Sequence, residues 1–221
     1  MADLRLTREE NVFTLNLGDS ENRLDRSFVD GVSQALDEVE GSTGPALLVT
    51  RAEGKFYSNG FNLEWLGSLG RDDARTFLKE TQALWARLLV FPVPTVAALN
   101  GHAFGAGAVF ALAHDYRVMR ADRGYFCFPE IDLRLSFRPG MLALIQCRLT
   151  AAVCRDALLS GARYGGPDAQ ARGIVDEAAP LEELERRAVA RGSALAAKDR
   201  KALHKLKLAM YRGPHDLLNA G

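Results

Sequence analysis

NGHAFGAGAVFALAHDYRVMRADRGYFCFPEIDLRL, residues 100–135, is the stretch on which the reading turns. It opens with a glycine-punctuated loop, Asn100 to Gly107. An apolar segment, Ala108 to Ala113, follows and suits a buried helix. β-branched and aromatic residues recur around Tyr116 and Val118, and again from Tyr125 to Phe128. A single carboxylate, Glu130, comes directly after Phe126, Phe128 and Pro129. Glycine-rich backbone entering a helix can aim N–H groups at a developing negative charge. A carboxylate among aromatics has its pKa raised towards that of a useful base.

The flanks set this stretch in an alternating pattern. Thr95 to Leu99 reads as a buried strand feeding the loop, and Phe91-Pro92-Val93-Pro94 breaks a helix over residues 72–90, with Phe77, Leu84 and Leu88 along one side. Ala46 to Thr50 is another continuous apolar strand, of the kind covered on both faces. Asp25 or Ser27 caps a helix whose face is Phe28, Val29, Val32, Ala35, Leu36 and Val39. Residues 3–7 and 11–17 read as two short strands, and residues 54–63 as a loop. Downstream, residues 139–148 and 150–160 read as helices, Gly161 suiting the end of the second. Pro167 opens a short helix that Gly173 ends, 174–176 is a short strand, and 181–211 is largely helical. The alternation predicts an α/β class with a largely parallel sheet.

A chain of 221 residues fits one domain, with a core over 1–160 and a mainly helical region over 161–221. Lys+Arg 28 balances Asp+Glu 28, which argues against a nucleic-acid footprint. The cysteines, Cys127, Cys147 and Cys154, have no metal-ligand spacing and suit a reducing compartment. The charged start, Met1 to Asn11, is not a secretory signal, and no apolar run approaches the ~20 residues of a membrane span. The ending Leu218-Asn219-Ala220-Gly221 is not a Ser-Lys-Leu type peroxisomal address. Together these predict a cytoplasmic protein with no metal. His102 and His114 read as structural, Asp115 and Arg117 as a fold-stabilising network, and the basic run Lys198 to Lys207 as a solvated helix face.

Four segments, in order, resemble the crotonase, or enoyl-CoA hydratase/isomerase, superfamily. They are Lys55-Phe56-Tyr57-Ser58-Asn59-Gly60-Phe61-Asn62-Leu63; Pro94 to Gly107; Asp115-Tyr116-Arg117-Val118-Met119 with Phe126 to Leu133; and Leu159-Ser160-Gly161 through Gly173-Ile174-Val175-Asp176. Within the family the wording is most similar to the monofunctional Δ3,Δ2-enoyl-CoA isomerases of plant peroxisomal type. The resemblance implies a spiral of ββα units with a helical C-terminal region, although the chain ends short of the family's usual terminal helices. It implies a homotrimer or dimer of trimers, and an acyl-CoA thioester substrate whose coenzyme A is part of the substrate, with no separate cofactor. It places an oxyanion hole on the backbone N–H groups of Phe61 and Ala106, a catalytic base at Glu130, and substrate contacts at Ser58, Asn59, Gly60, Gly105 and Phe128.

The carboxylates discriminate between chemistries. Hydratases of this family use two glutamates; the first position aligns here with Val109, the second with Glu130. Adding water needs an activated water, which two carboxylates supply, whereas moving a double bond needs one base that removes a proton and returns it elsewhere. An aspartate used by dienoyl isomerases aligns near Arg138. Asp132 would point the same way as Glu130 if the segment were extended. Phe137 and Leu135 are candidates for an acyl tunnel. The expected activity is isomerisation of a 3-enoyl-CoA, with enoyl-CoA hydration, another acyl-CoA lyase reaction, or non-catalytic acyl-CoA or RNA binding as alternatives.

Overall fold

Apolar segments expected as strands pair mostly in parallel in the computed structural model, which describes residues 4–221. β1 (Arg5–Glu9) and β2 (Val12–Asn16) form an antiparallel hairpin; β1 starts later than expected, residue 3 lying outside the described residues. β3 (Leu47–Arg51), β5 (Thr95–Leu99), β7 (Tyr116–Arg120) and β9 (Glu177–Ala179) continue that sheet in parallel, in the order β1-β2-β3-β5-β7-β9. A second, all-parallel sheet holds β4 (Phe56–Ser58), β6 (His102–Phe104) and β8 (Phe126–Cys127).

Each small-sheet strand directly follows a large-sheet strand, and a helix then returns the chain. After β4 come α2 (Leu63–Ser68) and α3 (Arg71–Leu89), after β6 comes α4 (Ala106–Leu112), and after β8 comes α5 (Pro139–Arg148). This is a spiral of ββα turns. The stretches read as loops at 54–63 and 100–107 therefore contain β4 and β6, and Leu63 opens α2. Such short strands carry no readable period-2 alternation. The first helix, α1 (Arg26–Gly41), is capped by Asp25, which accepts from the Phe28 N–H at 3.1 Å, rather than by Ser27.

The large sheet is covered on both faces. Leu48, Ala97, Leu99 and Met119 join the main core with Phe28, Trp85 and Phe110. Leu47, Val49, Val96, Ala98 and Val118 face Leu184 and Ala188 of α8 (Leu184–Ser193). That double burial is why β3 and β5 read as unbroken apolar runs.

After α6 (Ala151–Ser160), Gly161 ends the helix at φ 63° and ψ 21°, its N–H donating to Ala157. The strand expected at 174–176 lies later, at β9. The N–H groups of Ile174 and Val175 turn back to the Ala169 carbonyl at the end of α7 (Gly166–Ala171), so ladder pairing starts only at Glu177. Two helices close the chain, α9 (Arg200–Met210) and α10 (Arg212–Ala220). Helix extends past the expected limit at 211: Pro214 sits in the first turn of α10, where its missing N–H breaks no helical bond. Leu218 is buried against Gly140.

The basic C-terminal run is not simply a solvated face. Lys198, Lys201 and Lys205 are exposed, but Lys207 is buried. Its ammonium donates to the carbonyls of Phe91 and Val93 and to Asp115 Oδ2 at 2.6 Å. Asp115 also accepts from the Thr95 N–H at 2.8 Å. Nearby, Arg117 pairs with Asp176 at 3.2 Å, and Arg148 donates to the carbonyls of His114 and Asp115. Asp115 and Arg117 are thus the structural network expected of them, tying α9 to the ends of β5 and β7.

Candidate active site

Two backbone loops meet at the end of the small sheet. One leaves β4 through Asn59, Gly60 and Phe61; the other leaves β6 at Gly105 and enters α4 at Ala106. Gly60 has φ +80°, and a Cβ there would stand 2.9 Å from the Phe104 carbonyl oxygen and 3.4 Å from the Ala106 nitrogen. The loops therefore touch backbone to backbone, which only glycine allows. Among the described residues neither the Phe61 nor the Ala106 N–H is donated within the protein. Gly60→Ala should force the loops apart and lower kcat/KM by about 10²-fold or more, the size of losing one fixed oxyanion donor; steady-state kinetics with circular dichroism as a folding control checks this.

Between the loops lies a cleft of about 230 Å³. Asn59, Gly60, Phe61, Gly105, Ala106 and Glu130 all line it, together with Leu63, Leu133 and Leu135. Glu130 enters from a 3-10 turn, Pro129–Ile131, directly after β8. Gly105, at φ +52°, has no side chain to block it, and a Cβ there would stand 3.0 Å from Glu130 Oε1. Glu130 Oε2 is buried and has no hydrogen-bond partner among the described residues. Burial pushes the Glu130 carboxyl up to about 7, its own backbone N–H offsetting only part of that rise. Glu130 is the one carboxylate in the lining.

Two residues expected at the substrate do not line the cleft. Ser58 is wholly buried; its hydroxyl donates to the Asn22 carbonyl at 2.7 Å and accepts from the Gly60 N–H, bracing the loop from below. Phe128 is buried, with Phe126 and Phe137 edge-on to its ring. Asp132 is not aligned with Glu130, because the 3-10 turn abolishes the extended geometry that would align them; its Oδ2 lies 2.7 Å from where a Cβ of Gly161 would be. Val109 is fully buried within α4 and absent from the lining. Arg138 donates to the Gly221 carbonyl at 2.6 Å. Arg23, Leu63, Phe104 and Leu133 line the cleft without having been singled out from the sequence. They come from separate segments, so no local spacing marks them. Burial lowers His114 to about 3, and its ring meets Thr50 Oγ1 and the Phe110 carbonyl, a neutral structural role. No group of three or more His, Cys, Asp or Glu placed to hold a metal occurs among the described residues.

The ββα spiral is that of a crotonase-type protein, and the chain belongs to the enoyl-CoA hydratase/isomerase family, whose model matches residues 7–220. It is similar to enoyl-CoA delta isomerase 3 of Arabidopsis thaliana, 38% identical over 87% of this chain and 84% of the relative. The peroxisomal enoyl-CoA delta isomerase 2 of the same plant is also 38% identical, over 79% of this chain and 76% of the relative. Among solved structures, a Mycobacterium tuberculosis enoyl-CoA isomerase superposes with TM-score 0.87 at 25% identity, covering 98% of this chain and 94% of the other. No helix among the described residues is long and apolar enough to cross a membrane.

Proposed function

We propose that this protein isomerises 3-enoyl-CoA thioesters to 2-enoyl-CoA by moving one proton from C2 to C4 on Glu130. The observation that carries this reading is that Glu130 is the one carboxylate lining a cleft whose opposite wall presents two unspent backbone N–H groups. The thioester carbonyl oxygen accepts from the Phe61 and Ala106 N–H groups. Glu130 takes a proton from C2; the electron pair passes into the dienolate, whose negative oxygen those donors stabilise. The protonated carboxyl then delivers its proton to C4, leaving the double bond between C2 and C3. A carboxyl with its pKa near 7 suits both halves, since it neither holds nor releases the proton too strongly. Without a second carboxylate in the lining, no pair is in place to activate water for hydration.

Purified protein given a 3-enoyl-CoA should generate the conjugated 2-enoyl product, followed by ultraviolet absorbance, faster than it hydrates a 2-enoyl-CoA. Faster hydration would favour the lyase reading, and tight binding of acyl-CoA without turnover the non-catalytic one. The kcat/KM profile should rise as pH increases through about 7, because the free enzyme must carry Glu130 as carboxylate. Coenzyme A enters as part of the substrate. The exposed Leu206, Met210 and Leu217 of α9 and α10 support assembly into a homotrimer or dimer of trimers, checked by sedimentation. The three free cysteines support a reducing compartment such as the cytoplasm.

A further inference from the structure

Residues 21–24, just ahead of α1, run alongside the loop that leaves β4. Leu24 and Phe61 pair as a parallel bridge: the Leu24 N–H donates to the Gly60 carbonyl at 2.8 Å, and the Leu24 carbonyl accepts from the Asn62 N–H at 3.0 Å. In such a bridge the bonds go to the residues flanking the partner, so the N–H of Phe61 itself points to the opposite side. Nearby, the Asn59 N–H donates to the Glu21 carbonyl at 2.9 Å, and the Gly60 N–H to Ser58 Oγ at 3.3 Å. The loop thus spends its N–H groups at 59, 60 and 62 inside the protein and keeps the one at 61 for the cleft. The Phe61 ring is held as well, 6.2 Å from Phe77 and 6.1 Å from Trp85, centroid to centroid.

One buried side chain pins this segment in place. Asn22 has φ 47°, a left-handed conformation that Asn tolerates better than most residues. β4 is an end strand of the small sheet, so one of its edges lacks a neighbouring strand among the described residues. The Asn22 amide takes that place, donating to the Phe56 and Tyr57 carbonyls at 3.2 Å each and to the Gly18 carbonyl at 3.3 Å. Its Oδ1 accepts from Ser20 Oγ at 3.1 Å, and its carbonyl accepts from Ser58 Oγ at 2.7 Å. Asn22 therefore grips β4 at Phe56, Tyr57 and Ser58, immediately before the loop that carries the donor. It does not line the cleft.

We infer that Asn22 is a positioning residue for enolate formation: by fixing residues 21–24 against β4 it sets the direction of the Phe61 N–H. The inference rests on the reading of Phe61 as an oxyanion donor. A backbone donor helps only if it is already aimed at the oxygen that gains charge, and the loop holds its aim through the bonds to this segment. The thioester oxygen carries more charge in the dienolate than in the bound substrate. A donor turned out of line therefore costs more in the transition state than in the ground state, and the loss falls on kcat rather than KM.

Two variants test this. Asn22→Gly keeps the left-handed turn and removes the amide; Ser58→Ala cuts the hydroxyl bond to Asn22 and leaves the turn intact, which keeps the test open if the glycine variant does not fold. In folded variants, checked by circular dichroism, kcat for a 3-enoyl-CoA should fall about 10-fold or more while KM stays within about twofold. The kcat/KM profile should keep its midpoint near pH 7, because the surroundings of Glu130 are unchanged. The deciding readout is the infrared carbonyl band of a bound saturated acyl-CoA labelled with carbon-13 at the thioester carbonyl, which needs no turnover. Binding to the wild type should move the band to lower frequency, and binding to the variants should move it less. A wild-type kcat, a raised KM with kcat retained, a displaced pH midpoint, or a lost rate with the band where the wild type has it would overturn the inference. Absence of turnover in the wild type, with the band displaced there and not in the variants, would instead refute the isomerase reading and leave the positioning role standing.

Discussion

Glu130→Gln should lower kcat for 3-enoyl-CoA isomerisation by about 10²- to 10⁴-fold, because it removes the one group positioned to carry the proton. The same substitution should stabilise the fold, and only at neutral to alkaline pH. The Glu130 pKa is about 7 in the folded chain against an ordinary 4.5. Between those values the folded state binds more protons than the unfolded chain, so stability falls as pH rises through that window. Above about pH 7 the full cost is present, at most about 3 kcal/mol, and below about pH 4.5 it vanishes. The glutamine variant should therefore melt higher than wild type at pH 8 and equally at pH 4, read by scanning calorimetry. A wild-type rate in the variant would remove Glu130 from the mechanism. Equal melting at both pH values would show that its carboxylate is not desolvated.

The second large effect is structural. Lys207→Met should destabilise the protein by about 3–5 kcal/mol, the size of breaking a buried ion pair from one side. The Lys207 ammonium is almost wholly buried, and burial holds its pKa below the ordinary lysine value even with Asp115 beside it. Its loss leaves the Asp115 side chain with only the Thr95 donors, and strips a donor from the Phe91 and Val93 carbonyls. Adding Asp115→Asn should recover part of the loss, since the uncompensated charge is then gone. Urea denaturation of the single and double variants measures this; a single variant within about 0.5 kcal/mol of wild type would mean that α9 is held by apolar packing alone.

The legible parts of this fold share a physical cause. β3 and β5 read from the sequence because both of their faces are buried, which makes their residues apolar without interruption. Asp25, Pro167 and Gly161 mark helix ends because capping and left-handed turns demand particular residue types. β4 and β6 escape local reading because strands of three residues have no period, whereas β8 falls inside the aromatic segment at 125–128; the helical reading stops at 211, short of α10. In the site, Glu130, Gly60 and Gly105 stand out locally, as an acid beside aromatics and as glycines in loops. Arg23 reaches the same cleft from the segment before α1, and nothing in its own neighbourhood announces it.

Along the chain alone, the alternation of apolar strands and helices marks an α/β protein, residues 100–135 show a glycine turn followed by one carboxylate beside aromatics, and the resemblance carried by four segments in order points to the family. Only the tertiary structure decided how those parts face each other. The spiral brings the Gly60 and Gly105 loops into backbone contact, seals Val109 inside α4 and turns Asp132 aside through a 3-10 turn. It buries Ser58 and Phe128 as supports. Composition and spacing act along the chain, whereas desolvation of a carboxylate and convergence of donors depend on which segments the fold stacks together.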